Sequence, residues 1–186
     1  MNSRPWLATY RDNRIPESID PNAYASVVRM LEQAMTAFAD KPAFRAFGQT
    51  LTYADVDRLS GAFAAWLQNR LGVVKGDHIA VMSPNLLAFP IAFLGIARAG
   101  AVQVNVNPMY TPRELEHQLN DSQSKIIVIF SGSTPALAEV IARTGVKTVI
   151  TVTPGDCSDA DLPAPPIDAR LVGSIAFADA LAEGAA

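Results

Sequence analysis

The chain has 186 residues, enough for one domain with a core of its own. Its hydrophobic fraction of 49% is that of an ordinary globular protein, and 15 basic against 18 acidic residues give a net charge of −3 with no basic block, which removes the electrostatic case for nucleic-acid binding. Residues 1–20 lack the apolar segment of a secretory signal, the longest apolar run (86–97) is too short to span a bilayer, and the lone Cys157 excludes an internal disulfide and fits a reducing cytoplasm.

Residues 1–20 are polar and aperiodic and read as an extended arm. Asp20-Pro21 offers a helix cap followed by proline at the first helical position. Tyr24, Val27, Val28, Leu31, Ala34, Met35 and Phe38 follow at three- and four-residue steps, an apolar stripe on a helix that Lys41-Pro42 ends. Residues 43–53 predict a hairpin about Gly48-Gln49. Thr52 and Asp55 form a capping-box pattern, opening a helix that buries Val56, Leu59, Phe63 and Leu67 and ends near Leu71-Gly72.

Lys75-Gly76-Asp77 reads as a turn and 78–82 as a short buried strand. Ser83-Pro84-Asn85 then caps a helix running to Arg98, with Gly100 as its stop; Pro90 inside it predicts a kink or a restarted first turn. Residues 102–106 read as a second buried strand. Thr111-Pro112-Arg113-Glu114 combines a cap, a proline at the first helical position and a glutamate at the third, and opens a helix to Asp121. Residues 125–130 are nearly all apolar, as in a parallel strand covered on both faces. Thr134 caps a further helix closed by Gly145, and 146–152 is one more strand. The Pro-, Asp- and Ala-rich stretch 153–168 reads as a loop, 175–182 as a short helix, and the small residues at the end have nothing to anchor them.

Strand–helix alternation over 78–152 predicts an α/β fold: an N-terminal helix and β-hairpin, then a mostly parallel, incomplete doubly wound sheet. The chain divides into an arm (1–20), an α/β subdomain (21–152) and a loop with a short helix (153–186). His78 and His117 have no partners at metal-ligand spacing. Asp55 and Asp57 flank a helix start, where negative charge is favoured without catalysis. Phe63 and Trp66 read as core, and Cys157 as an incidental thiol. Ser131-Gly132-Ser133-Thr134 is the nearest approach to a phosphate loop, but it lacks a glycine run and a lysine and reads as a strand–helix turn. Arg113 stands in a first helical turn, where its charge opposes the dipole, a mild conflict of the kind found at functional sites.

Four segments carry a resemblance. They are Phe38-Ala39-Asp40-Lys41-Pro42-Ala43-Phe44, Leu51-Thr52-Tyr53-Ala54-Asp55-Val56, Val73-Val74-Lys75-Gly76-Asp77-His78-Ile79-Ala80-Val81, and Arg98-Ala99-Gly100-Ala101 continued by Asn107-Pro108-Met109-Tyr110-Thr111-Pro112-Arg113-Glu114-Leu115. In that order they resemble the adenylate-forming enzymes, with Asp55 and Val56 departing from the usual Glu and Leu. The wording around Asn107 is similar to the long-chain fatty-acid–CoA ligases (acyl-CoA synthetases), and the resemblance runs from about Tyr24 to Leu181.

The resemblance implies the N-terminal subdomain of that fold and, in the parent enzyme, a two-step reaction. Fatty acid and Mg-ATP give an acyl-adenylate and pyrophosphate; coenzyme A then gives the thioester and AMP. The family's phosphate loop, acidic metal ligand, ribose-binding Asp and mobile Lys have no counterpart in this sequence. The implied partner is therefore the remainder of the ligase chain, and the isolated chain is expected to be inactive and to bind ATP, Mg or coenzyme A without high affinity. Pro108, Met109, Tyr110 and Arg113 are the residues the resemblance places on the coenzyme A side; no catalytic residue or metal ligand is assigned. It also implies a cytoplasmic parent, peripheral to the inner face of the membrane, and a homodimer. Two other readings stand beside it. One is a non-catalytic assembly or dimerisation module using the open edges of a truncated sheet. The other is a free-standing nucleotide-binding α/β domain, against which counts the lack of Gly-x-Gly-x-x-Gly after any strand.

Overall fold

The computed structural model describes residues 4–186. The expected extended arm contains a short helix, α1 (Trp6–Asp12), none of whose residues is buried. Pro5 at its N-cap holds φ at −62°, already helical, and Trp6, Leu7 and Tyr10 share one side at helical spacing, a signal too brief to stand out among polar neighbours. α2 (Val27–Ala37) starts later than expected, because Ser26 and not Asp20 is its cap: Ser26 Oγ accepts from the Arg29 N–H at 3.1 Å. Asp20 Oδ1 instead accepts from the Asn22 N–H at 2.9 Å, closing a local turn that leaves Tyr24 outside the helix. Of the expected apolar stripe only Met35 is fully buried.

β1 (Pro42–Ala46) and β2 (Gln49–Thr52) form the antiparallel hairpin. Its turn is Phe47-Gly48, one residue earlier than expected, with φ of +50° and +74°, the paired left-handed geometry that suits strand twist. The capping box at the head of α3 (Tyr53–Leu71) is complete: Thr52 Oγ1 accepts from the Asp55 N–H, and Asp55 Oδ2 accepts from the Thr52 N–H, each at 3.1 Å. These Thr52 hydrogen bonds hold the Asp55 carboxyl below its ordinary range. Val56, Phe63 and Leu67 are buried as expected, Leu59 only partly, and Gly72 ends the helix at φ +66°.

β3 (His78–Met82) leads to α4 (Ala88–Arg98), which begins after Leu87 with no side-chain cap; Ser83 Oγ donates to the Pro84 carbonyl rather than capping the helix. Pro90 falls in the restarted first turn, where its missing N–H costs no helical bond. Then come β4 (Val102–Asn105), α5 (Pro112–Asp121), β5 (Ile126–Phe130), α6 (Thr134–Val140), β6 (Thr148–Val152), β7 (Ile175–Ala176) and α7 (Phe177–Gly184). α6 stops short of Gly145, and a 3-10 turn at Ile141–Arg143 fills the gap. The five strands form one parallel sheet in the order β4-β3-β5-β6-β7. β4 is thus an edge strand, not the buried one expected; its valines are apolar enough for either place. β7 was not anticipated, since two residues carry no period.

Alternate residues of the strands feed two cores. Ile79, Val81, Val128 and Ile150 pack with α3, α4 and α7 on one face. Ala80, Met82, Ile127, Ile129 and Val149 pack with α5 and α6 on the other. The C-terminal segment is anchored, contrary to expectation. The Phe177 ring lies 4.8 Å from that of Phe63, and Trp66 Nε1 donates to Glu183 Oε2 at 2.8 Å. Gly184 passes so close to α3 that a Cβ there would collide with the Ala62 carbonyl, so the small terminal residues are what allows the docking.

Candidate functional site

In a parallel sheet every strand ends at the same edge, and ligands settle where successive crossovers leave in opposite directions. Here β3 is followed by β4 on one side, and the next strand, β5, pairs on the other, so that point lies between the loops at 83–87 and 131–133. The loop after β4 is drawn to the same edge: Ser133 Oγ, in the 3-10 turn Ser131–Ser133, donates to the Pro108 carbonyl at 3.1 Å.

The expected site residues occupy this loop and the helix start behind it. Asn107 shapes the loop: its Oδ1 accepts from the Met109 N–H and its carbonyl from the Tyr110 N–H, both at 3.0 Å. The turn projects Met109 outward, 87% exposed, while Tyr110 leans half-buried on the α5–α6 core. Thr111 and Glu114 close a complete capping box over α5, with Glu114 Oε2 accepting from the Thr111 N–H at 2.8 Å. That bond holds the Glu114 carboxyl below its usual range. Arg113, in the same first turn, is exposed and has no ion pair among the described residues, whereas nearby Glu116 is paired with Arg143 at 2.9 Å. Pro108 and Tyr110 are thus half-buried and Met109 and Arg113 exposed, on one loop and the helix start that follows it, the 107–113 corner. Sequence reasoning missed Ser133, which ties this corner to the sheet; its only signal was a hydroxyl-rich run after an apolar strand.

Ser131-Gly132-Ser133-Thr134 does not fit a nucleotide polyphosphate. The Ser133 hydroxyl is engaged with Pro108. Thr134 is not a cap: its Oγ1 donates to the Ser131 carbonyl at 2.6 Å and accepts from the Asp168 N–H at 3.0 Å. A Cβ on Gly132 would stand 2.6 Å from the Phe130 ring, so this glycine makes room for an aromatic side chain and not for a phosphate. Asp168, which the second Thr134 bond reaches, is itself held by Arg170 hydrogen bonds and lowered to about 2.

Cys157 is half-buried, and burial, with the adjacent Asp156 charge adding to it, pushes its thiol up to about 12. Its alkylation by iodoacetamide at pH 8 is expected to run on the order of a thousandfold slower in the folded chain than in urea, because so little thiolate is present. Equal rates in the two states would place the thiol in open water.

The family model of the AMP-binding enzymes matches residues 31–171. The chain belongs to this AMP-binding enzyme family. The long-chain-fatty-acid–CoA ligase of Escherichia coli O6:H1 is 49% identical over 151 residues, 81% of this chain and 27% of the relative. That of Bacillus subtilis is 38% identical over 128 residues, 69% of this chain and 22% of the relative. The chain thus spans about a quarter of the length of the curated relatives it matches. The crystal structure of a long-chain-fatty-acid–CoA ligase from Archaeoglobus fulgidus superposes with a TM-score of 0.63 at 30% identity, covering 68% of this chain and 27% of that one. A luciferase-like enzyme from the mealworm Zophobas morio shares the fold, with a TM-score of 0.73 at 19% identity over 89% of this chain and 36% of that one. The α/β fold of this AMP-binding family chain is accordingly that of the N-terminal region of adenylate-forming enzymes. Among the described residues, no helix is long and apolar enough to cross a membrane.

Proposed function

We propose that the chain forms the N-terminal α/β part of a long-chain fatty-acid–CoA ligase, and that its 107–113 corner faces coenzyme A in the assembled enzyme. The observation that carries the first statement is the 49% identity to the Escherichia coli ligase across 151 residues. The parent would use Mg-ATP to activate the fatty acid and coenzyme A to accept the acyl group. The work of these residues is positional. Ser133 holds the Pro108 carbonyl and so sets the loop; Met109 and Tyr110 offer apolar surface to a flexible thiol-bearing arm; Arg113 offers an unpaired cation to a phosphate. The polyphosphate chemistry belongs to the rest of the ligase, since the Ser133 and Thr134 hydroxyls are already engaged within this fold and a phosphate has no lysine in the 131–134 turn to meet it. A lone thiol fits a cytoplasmic parent, which we place in peripheral contact with the membrane.

Two measurements test this reading. The 186-residue chain incubated with Mg-ATP, oleate and coenzyme A is expected to release no AMP above a blank; release would overturn it. In a ligase carrying this segment, Arg113→Ala is expected to raise KM for coenzyme A about fivefold, the loss of roughly 1 kcal/mol from an exposed charge pair, with KM for the fatty acid unchanged. An unmoved KM for coenzyme A removes the corner from that role.

A further inference from the structure

Three basic side chains stand side by side where the sheet begins. Ile79, Ile126 and Thr148 are partners across β3, β5 and β6. The residues before them, His78, Lys125 and Lys147, therefore start three adjacent strands in register, about 4.8 Å apart. All three are exposed. Like charges on neighbouring strands repel, so the two lysines destabilise the sheet edge unless an anion answers them. Among the described residues no carboxylate pairs with either one. The helix ends nearby do not need them either. The Val73 N–H closes α3 on the Leu67 carbonyl at 3.0 Å, and the Ser124 N–H closes α5 on the Leu119 carbonyl at 3.3 Å. His78 Nδ1 lies 2.5 Å from the Ser122 carbonyl, which only accepts. Nδ1 therefore carries the proton, and Nε2 has no partner among the described residues.

These three residues line a cavity of about 380 Å³, within the size range of small-molecule sites. Part of its wall is apolar: Leu71 at the end of α3, Val73 just after it, and Ile126 of β5. Asp77 is the one carboxylate among the described residues that line it, and its Oδ2 is engaged by the Val74 N–H at 2.9 Å. We propose that this crevice binds a small phosphorylated molecule, with the phosphoryl group between Lys125 and Lys147 and the rest of the ligand on Leu71, Val73 and Ile126. Two ammonium groups a strand apart suit an anion with several oxygens and up to two charges better than a lone carboxylate. A singly ionised phosphoryl group also carries an O–H that His78 Nε2 can accept. The crevice opens at the edge opposite the 107–113 corner, away from where ligands of parallel sheets settle, and its assignment does not rest on the ligase reading.

The test titrates the 186-residue chain at low salt with AMP, hexyl phosphate and inorganic phosphate, read by amide and histidine-ring NMR shifts. AMP or hexyl phosphate is expected to move the His78, Lys125 and Lys147 signals with a Kd of about 1 mM, and to bind about fivefold more tightly than inorganic phosphate because of the apolar wall. The tighter of the two names the ligand's body as nucleoside or alkyl. Lys125→Glu with Lys147→Glu is expected to weaken binding about tenfold, and Lys125→Gln alone about threefold. Both lysines are exposed, so the core is left intact. Lys41→Glu, which lowers the net charge away from the crevice, is expected to change nothing. Shifts that miss these three residues overturn the proposal. So does an affinity unmoved by the lysine changes, or inorganic phosphate bound as tightly as the two larger ligands.

Discussion

Arg98→Ala is expected to lower the unfolding free energy by about 3 kcal/mol, seen as a fall in the urea midpoint with an unchanged slope. The Arg98 side chain is 13% exposed and serves three helices at once. Its Nη1 donates to the Asp57 carbonyl at 2.7 Å and to Ser60 Oγ at 2.9 Å, both on α3. Its Nη2 pairs with the Asp57 carboxylate and lies 3.7 Å from Glu32 Oε1 on α2. The charge also sits in the last turn of α4, where the helix dipole favours it. Truncation leaves the wholly buried Ser60 hydroxyl with only its 3.3 Å bond to the Asp57 carbonyl, and removes the guanidinium from between two carboxylates. Asp57 and Glu32 keep partial access to water, which holds the loss below the upper range for buried pairs. Arg98→Lys keeps the charge but not the fork, and about half the loss is expected. A loss under about 1 kcal/mol for Arg98→Ala would show that the three helices hold without this clasp.

Gly95→Ala is the second expected failure, and its sign is the informative part. On an open helix this change gains about 1 kcal/mol. At Gly95 a Cβ would stand 2.7 Å from Phe63 Cδ1 and 3.0 Å from Phe63 Cβ. Phe63 has no room to yield: it is wholly buried, with its ring 4.8 Å from Phe177 and 6.3 Å from Trp66. The helices must separate, and a net loss of about 2 kcal/mol is expected from overpacking. Because the clash is with one ring, Phe63→Leu in the Gly95→Ala background is expected to cost less than it does in the parent sequence. A thermal-unfolding cycle of the four proteins reads that coupling. Stabilisation by Gly95→Ala would mean that α4 and α3 do not approach as closely as described.

What could be read in the sequence was what neighbours along the chain decide. The two capping boxes, Thr52 with Asp55 and Thr111 with Glu114, are closed by side chains three residues apart, and both are present. The nearly all-apolar stretch at 126–130 is the central strand, as its two-sided burial required. Errors arose where two local choices were equally good. Asp20 and Ser26 are both competent caps, and only the turn closed by Asp20 decides between them. Distant contacts were beyond reach. The edge place of β4, the Ser133–Pro108 bond across 25 residues, and the Arg98 links to residues 38 and 41 positions away follow from the packed fold alone. The corner at 107–113 was visible because its proline, asparagine and threonine signals act within one turn.

The docking of α7 on α3 bears on how the molecule is made. Trp66 and Glu183 are 117 positions apart, and Phe177 completes the aromatic cluster around Phe63. During synthesis the ribosome delivers α3 first, and the Phe63 and Trp66 rings wait without their α7 partners while the 117 positions from Trp66 to Glu183 emerge. A nascent chain at that stage offers sticky rings to chaperones and to other nascent chains alike. α7 thus closes over rings that have stood without it since α3 emerged, and the interval before it arrives is one in which this α/β unit is vulnerable to going astray.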